Sequence, residues 1–336
     1  MMRALVTGGG GFLGRYIVEQ LGARGDRVRS FGRGDYPELE ALGVEVVRGD
    51  IRDRDAVIAA CRDIDCVFHV AALPGIGMDR RAYDDINFSG TKNVLAGCQR
   101  HGASRLVYTS SPSVVFAGTD QCGIDESVAY DFAWLEANRA YYSLSKAQAE
   151  QAVLAANREG LRTCSLRPHL IWGPRDGHLV PRLIARARSG RLRRIGDGTN
   201  LVDMIYVDNA AGAHVRAADA LAGEVASAAG KSYFLSQGEP VNCWRWIDDI
   251  LALVDLPPVK KSISLNAAWR LGAACEAAYR LLGLKGEPPM TRFLAAQLAT
   301  SHWFDISAAR HDLGYEPRVS TAEGMRRLGE WLPQRP

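Results

Sequence analysis

The sequence contains no CxxC pair, no HxH or HExxH grouping, no internal repeat and no low-complexity tract. Its seven cysteines (positions 61, 66, 98, 122, 164, 243 and 275) are odd in number and scattered, so neither a disulfide framework nor a zinc site is expected, and reduced thiols fit better. The histidines are equally dispersed, and no metal is expected. Neither charge sign is in marked excess: 41 Lys and Arg stand against 38 Asp and Glu, a net charge of +3. The densest basic run, Arg186–Arg194, is short, so nucleic acid is not an expected partner. A long uncharged apolar run is also missing. The most apolar late stretch, Asn266–Leu284, carries Arg270, Glu276 and Arg280, and reads not as a transmembrane segment but as an amphipathic helix that covers an apolar pocket, the favoured reading, or rests on a membrane surface. The opening MMRALVTGG enters a strand pattern without signal-peptide character, which leads us to expect a cytoplasmic protein.

The chain has 336 residues, of which 47% are hydrophobic and 24% charged, an ordinary globular composition. Short β-branched runs alternate with helical stretches through the first half. The pattern predicts strands at Arg3–Val6, Arg27–Phe31, Val44–Arg48, Cys66–Val70, Arg105–Thr109 and Thr163–Arg167. It predicts helices at Phe12–Arg24, Asp53–Ala60, Ile86–Arg100 and Tyr141–Arg158. Strands separated by crossovers of this length form a doubly wound parallel sheet of the α/β class. Residues 1–170 are therefore expected to form a dinucleotide-binding domain. Residues 171–336, more densely punctuated by glycine and proline, are expected to form a smaller mixed α/β substrate cap. In that half, Ala210–Leu221 and Trp244–Val254 read as helices and Lys231–Ser236 as a strand, with the segments around 200–236 returning to the first domain.

Between the first strand and first helix lies TGGGGFLG, in which Gly8, Gly11 and Gly14 have the GxxGxxG spacing. Bare backbone there lets a pyrophosphate approach, and the helix start at Phe12 and Leu13 offers N–H groups and a positive dipole end. The second strand ends in Gly32-Arg33 rather than in a carboxylate. A guanidinium at that tip suits a 2′-phosphate, so NADP(H) is favoured over NAD(H). Asp50 and Ile51 after the third strand are expected near the adenine. Ala71 and Ala72 after the fourth, and Pro168 at the end of the sixth, are expected against the rest of the cofactor.

Tyr142 and Lys146 are four apart in the predicted helix opened by YYSLSK, so both can face one ligand. A nearby ammonium is expected to lower the phenol's pKa from its usual value of about 10 and make it a working acid or base. The fifth strand runs into Thr109-Ser110-Ser111-Pro112-Ser113, at the sheet edge where ligands of this architecture bind. Ser111 is expected to hold the substrate oxygen, with Ser110 and Ser113 as alternatives. Asn87 is read either as ordering a water or a turn near Lys146 to relay a proton, or as a helix cap. His69 is read as structural, and His169, after Pro168, as within reach of cofactor or substrate.

Taken together, TGGGGFLG, GDIRD, HVAAL, YTSSPSV, YSLSK and LRPHLIWGP resemble the extended short-chain dehydrogenase/reductase superfamily, and within it the 3β-hydroxysteroid dehydrogenase branch. GDGTNLVDMIYVDNAA and LGYEPRVSTAEGMRRL extend the likeness almost to the C-terminus. The resemblance implies a Rossmann domain and an oxidoreductase that interconverts a ketone and a secondary alcohol. It further implies a large apolar substrate in which that group lies β to a carboxylate, with Arg175 or Arg182 as possible cationic partners. A homodimer through the Asn87 and Tyr142 helices is implied as well. Other activities on this scaffold are oxidation of a 3β-hydroxysteroid or sterol carboxylate, nucleotide-sugar epimerisation or dehydration, and non-catalytic dinucleotide sensing. The last usually lacks the Tyr or Lys that this sequence retains.

Overall fold

The computed structural model describes residues 1–284 and 286–332, and in it the residues of the early strands divide between two cores. Ala4, Val6, Phe68, Val107 and Cys164 pack on one side of a sheet, and Leu5, Val67, Leu106 and Tyr108 on the other. That is what the two-residue period of a strand buried on both faces requires. The sheet comprises β1 (Arg3–Thr7), β2 (Arg27–Gly32), β3 (Glu45–Arg48), β4 (Cys66–His69), β5 (Arg105–Thr109), β6 (Arg162–Pro168) and β7 (Ser232–Leu235). Their spatial order is β7-β6-β5-β4-β1-β2-β3, and every pairing is parallel. Helices α1 (Phe12–Ala23) and α5 (Val207–Ala222) cover one face; α2 (Arg54–Ala60), α3 (Gly90–His101) and α4 (Tyr141–Ala155) cover the other. The order reverses between β1 and β4, and ligands of this architecture sit at that point, beyond the carboxyl ends of the strands.

A smaller mixed sheet lies over this edge, in the order Val241–Asn242, Leu201–Val202, His302–Phe304 and Gln121–Ile124. The segments thus cross over in both directions: β7, from the second half, joins the large sheet, and Gln121–Ile124, from the first half, joins the small one. The late apolar stretch forms α6 (Leu265–Leu281), packed on α7 (Arg292–Ala299). The contact is close, because a Cβ on Gly272 would lie 2.5 Å from the Thr291 carbonyl carbon, and Glu276 inside it bonds Arg292 at 2.8 Å. Leu281 and Leu282 at the end of α6 remain largely exposed, and Lys285 just beyond lies outside the described residues. No helix among the described residues is long and apolar enough to cross a membrane.

Two helices differ from the sequence expectation. The predicted Ile86–Arg100 helix begins instead as a π-helical turn, Asp84–Ser89, which runs into α3. A wider turn of this kind typically marks a place where a side chain is needed elsewhere, and Asn87 is such a side chain. It does not cap a helix. Its amide bonds the Leu73 backbone twice, at 2.7 and 3.1 Å, and donates to Ser145 Oγ at 3.0 Å. The Tyr141–Arg158 helix ends at Ala155, because the chain turns back at Arg158 to pair with Leu161 ahead of β6.

Candidate active site

Gly8, at φ +73°, makes the tight turn out of β1, and a Cβ on it would press to 3.0 Å from Ala71. A Cβ on Gly14 would lie 2.1 Å from the Gly8 carbonyl oxygen. Both positions demand glycine, and no side chain caps the start of α1, which leaves its opening N–H groups to a ligand. Across the loop, Thr7 Oγ1 accepts from the Val70 and Ala71 N–H groups, so its own proton points to His69 Nδ1 at 2.7 Å. His69 Nε2 then donates to Thr91 Oγ1, which donates to the Asn87 carbonyl. His69 is fully buried and its pKa falls to about 3, through burial and then the nearby Lys146, so it remains a neutral structural tie.

The cradle opens into two adjoining cavities of about 370 Å³ each. One runs from Gly8, Gly11, Phe12, Leu13 and Gly14, past Ala71 and Ala72, to Ser111, Tyr142, Lys146 and Pro168. The other continues to Arg33, Asp50 and Ile51. Arg33 is exposed at the rim. Asp50 is held by Arg52, through its side chain at 2.7 Å and its N–H at 2.9 Å, and its pKa drops to about 2. A feature not anticipated from the sequence is Tyr36, whose ring lines this second cavity against Gly10, Gly32 and Gly34. A glycine cradle that a Cβ would fill, followed by a long cleft with a cation at its far rim, fits an extended dinucleotide.

Beyond the cradle, Tyr142, Ser111 and Leu170 also line a third cavity of about 270 Å³, walled by Ile76, Phe116, Phe293 and Phe304. Tyr142 therefore stands where a dinucleotide-shaped cleft meets an apolar one. Leu170, at φ +45°, is in the left-handed region that a branched side chain adopts only under strain, as is common at such junctions. Ser111 Oγ hydrogen-bonds Ser113 Oγ at 2.9 Å and lines the same two cavities as the Tyr142 phenol.

The electrostatics differ from the sequence expectation. Burial pushes the Tyr142 phenol up to about 12, partly offset by Ser111, and Lys146 is not among the groups acting on it. Instead the Lys146 ammonium donates to the Thr109 carbonyl and lies 4.1 Å from the centre of the Tyr108 ring. Burial lowers its own pKa to about 7, against an opposing pull from Glu150. Glu150 is one turn further along α4 and fully buried; it bonds Arg167 at 2.6 Å, Tyr130 and Ser165.

The suggested carboxylate partners separate. Arg175 is committed to Glu19 and stacks on Tyr16, fastening the second half to α1, whereas Arg182 lines the apolar cleft while paired with Glu287. His169 lines the same cleft, but with two partners the sequence reading missed, Asp203 and His302. A fully buried acid inside the apolar run LVDMIYV was the available signal for Asp203.

Residues 5–266 match the 3-beta hydroxysteroid dehydrogenase/isomerase family. The chain belongs to it. Members of this family are oxidoreductases of the extended short-chain dehydrogenase type, as the sequence motifs implied. Among relatives, a 2-alkyl-3-oxoalkanoate reductase of Stenotrophomonas maltophilia is 51% identical, across 97% of this chain and 98% of its own length. Human sterol-4-alpha-carboxylate 3-dehydrogenase, decarboxylating, is 33% identical across 97% of this chain and 87% of its own. Among solved structures, a Thermus thermophilus UDP-glucose 4-epimerase in complex with NAD superposes with a TM-score of 0.73 at 24% identity, across 99% of both chains. That last likeness is one of fold.

Proposed function

We propose that this chain is an NADP(H)-dependent reductase of 2-alkyl-3-oxoalkanoates. The observation that carries the reading is the position of Tyr142 and Ser111 on the wall shared by the glycine-cradled cleft and the apolar one. The 51% identity to the Stenotrophomonas reductase over nearly the whole chain supports it. When bound along Gly8–Gly14, Ala71 and Ala72, a nicotinamide dinucleotide supplies the hydride that reduces the carbonyl carbon. Ser111 Oγ holds the carbonyl oxygen, and the Tyr142 phenol delivers a proton to it, so that with the hydride a ketone becomes a secondary alcohol. The Tyr142 phenol, pushed up to about 12 by burial, holds its proton at neutral pH, as the donor in this step must before transfer. Lys146, one turn along α4 from Tyr142 and seated on the Thr109 carbonyl and the Tyr108 ring, lines the same cleft as an electrostatic support whose charge varies near neutral pH. Asn87 acts at a distance, by fixing Leu73 and Ser145 beside the cleft. Arg33 at the cavity rim favours the 2′-phosphate of NADP(H) over the bare ribose of NAD(H).

A second reading, oxidation of a sterol 4α-carboxylate, draws support from the relative 33% identical to this chain. It uses the same β-oxy acid unit on a different apolar skeleton. The test is turnover by the purified protein, with each cofactor, of a 2-alkyl-3-oxo acid, a sterol 4α-carboxylate and a UDP-sugar. Reduction of the oxo acid with NADPH is expected, and Tyr142→Phe should lose at least a hundredfold in kcat. Turnover of the UDP-sugar alone, or undiminished activity in the Phe variant, would sink the reading.

A further inference from the structure

Three buried titratable groups that the chemistry above leaves unused form a single hydrogen-bonded row beside the apolar cleft. His169 Nδ1 is 2.8 Å from Asp203 Oδ1, and His169 Nε2 is 3.1 Å from His302 Nδ1. His302 Nε2 is 2.8 Å from the Gln297 carbonyl oxygen. The other Asp203 oxygen accepts the Phe304 N–H at 3.0 Å.

The protons of this row can be counted. Each end is an oxygen acceptor, so the ring nitrogen facing it must carry a hydrogen, and the nitrogen–nitrogen contact in the middle needs one more. Two neutral imidazoles hold only two hydrogens between them, whereas the row requires three. With Asp203 as a carboxylate that accepts from the Phe304 N–H, the third hydrogen gives the pair of rings one positive charge. Burial and the neighbouring ring keep His302 low, at about 4, and the carboxylate lies against the His169 ring rather than the His302 ring. The third hydrogen can pass between the rings by crossing the 3.1 Å gap with no movement of heavier atoms.

Orientation gives this charge a use. Both rings line the cleft, whereas Asp203 is fully buried behind them and does not. The other ionisable groups on that lining are Arg182, paired with Glu287, and the Tyr142 phenol; no carboxylate lines it among the described residues. The cavity therefore meets the cationic side of a buried ion pair, in surroundings where charge acts more strongly than in water. We propose that the His169–His302 pair, held by Asp203, is the element that recognises the carboxylate of an anionic substrate in this cleft. This rests on the β-oxy acid reading given above.

Asp203→Asn is the discriminating variant. An amide at this position keeps the Phe304 bond on its oxygen and donates its own N–H to His169 Nδ1. Two neutral rings then satisfy the row, and the cation disappears with every bond retained. The probes are octanoate and 1-octanol, with binding measured by calorimetry on both proteins. We expect octanoate to bind the variant about tenfold more weakly and octanol to bind both equally. Nitrogen-15 spectra at neutral pH should show three N–H groups across the two rings in the parent and two in the variant. His302→Phe, which keeps a ring but removes the nitrogen acceptor, provides a second route to the same loss. Unchanged octanoate affinity in a folded variant, or two N–H groups in the parent, overturns the proposal. If octanoate is discriminated as expected but no 2-alkyl-3-oxo acid is turned over, the functional reading fails and the anion site stands.

Discussion

Replacing Lys146 with methionine should make the apoprotein more stable near neutral pH, even as it removes a catalytic group. Lys146 is only 2% exposed, and burial lowers its pKa from 10.5 to about 7. Between those values the unfolded chain holds a proton that the folded one releases. Stability therefore rises with pH across that window, and the cost of charging the buried lysine is fully present below pH 7. The depression from 10.5 to about 7 corresponds to about 5 kcal/mol. Methionine fills a similar linear volume, but gives up the bond to the Thr109 carbonyl, worth about 1 kcal/mol once the amine is neutral. The variant should thus be about 3 kcal/mol more stable at pH 7, and the advantage should vanish or reverse slightly by pH 10.5. Urea unfolding of both proteins without cofactor, followed by tryptophan fluorescence at half-unit pH steps, measures the difference, and groups titrating equally in both cancel. A stability difference that stayed flat from pH 7 to 10.5 would refute the argument, because it would mean that Lys146 titrates normally in the folded state.

Gly14→Ala should weaken dinucleotide binding at least tenfold by fluorescence titration, because its Cβ would meet the Gly8 carbonyl at 2.1 Å. Gly22→Ala in the same helix, with nothing within 4 Å of its Cβ, should stabilise the protein by about 0.5–1 kcal/mol in thermal melts. Arg33→Asp should shift the ratio of kcat/KM from NADPH towards NADH, and an unmoved ratio would remove Arg33 from the cofactor argument. Arg167→Met strands the Glu150 carboxylate and should cost about 3–5 kcal/mol at pH 8. The loss should shrink towards pH 5, where the unpaired Glu150 can take up a proton.

The first half of the fold was legible because its signals are local. A short β-branched apolar run such as ALVT or RLVYT between helical stretches marks a buried strand, and a GxxGxxG turn between strand and helix has few other uses. The shared cavity of Tyr142 and Lys146 was legible for the same reason, since four residues along a helix fix a common face. What local signals could not give was the set of partners brought from far along the chain. Asp203, His169 and His302 come from three separate segments, and only packing puts them in a row. The pKa of Tyr142 was misjudged on similar grounds. Helical spacing places an ammonium near a phenol, but it does not say that the ammonium turns away to Thr109 or how deeply the pair is buried. Asn87 was read either as ordering a water or a turn near Lys146 or as a helix cap, and the π turn that frees its amide for Leu73 has no sequence signature.

The position of β7 also bears on how the chain is made. During synthesis, residues 1–170 emerge with the whole glycine cradle and six of the seven strands, but β6 waits with a bare edge until Ser232–Leu235 arrive. An open parallel edge is sticky, and this one carries Arg167 beside Glu150 within a pocket that Phe234 helps to close. A nascent chain stalled after residue 170 would thus have a nearly finished nucleotide cleft and a side prone to pairing with other chains. Truncation for expression trials is therefore better made beyond β7 than at the boundary that the nucleotide-binding motifs suggest.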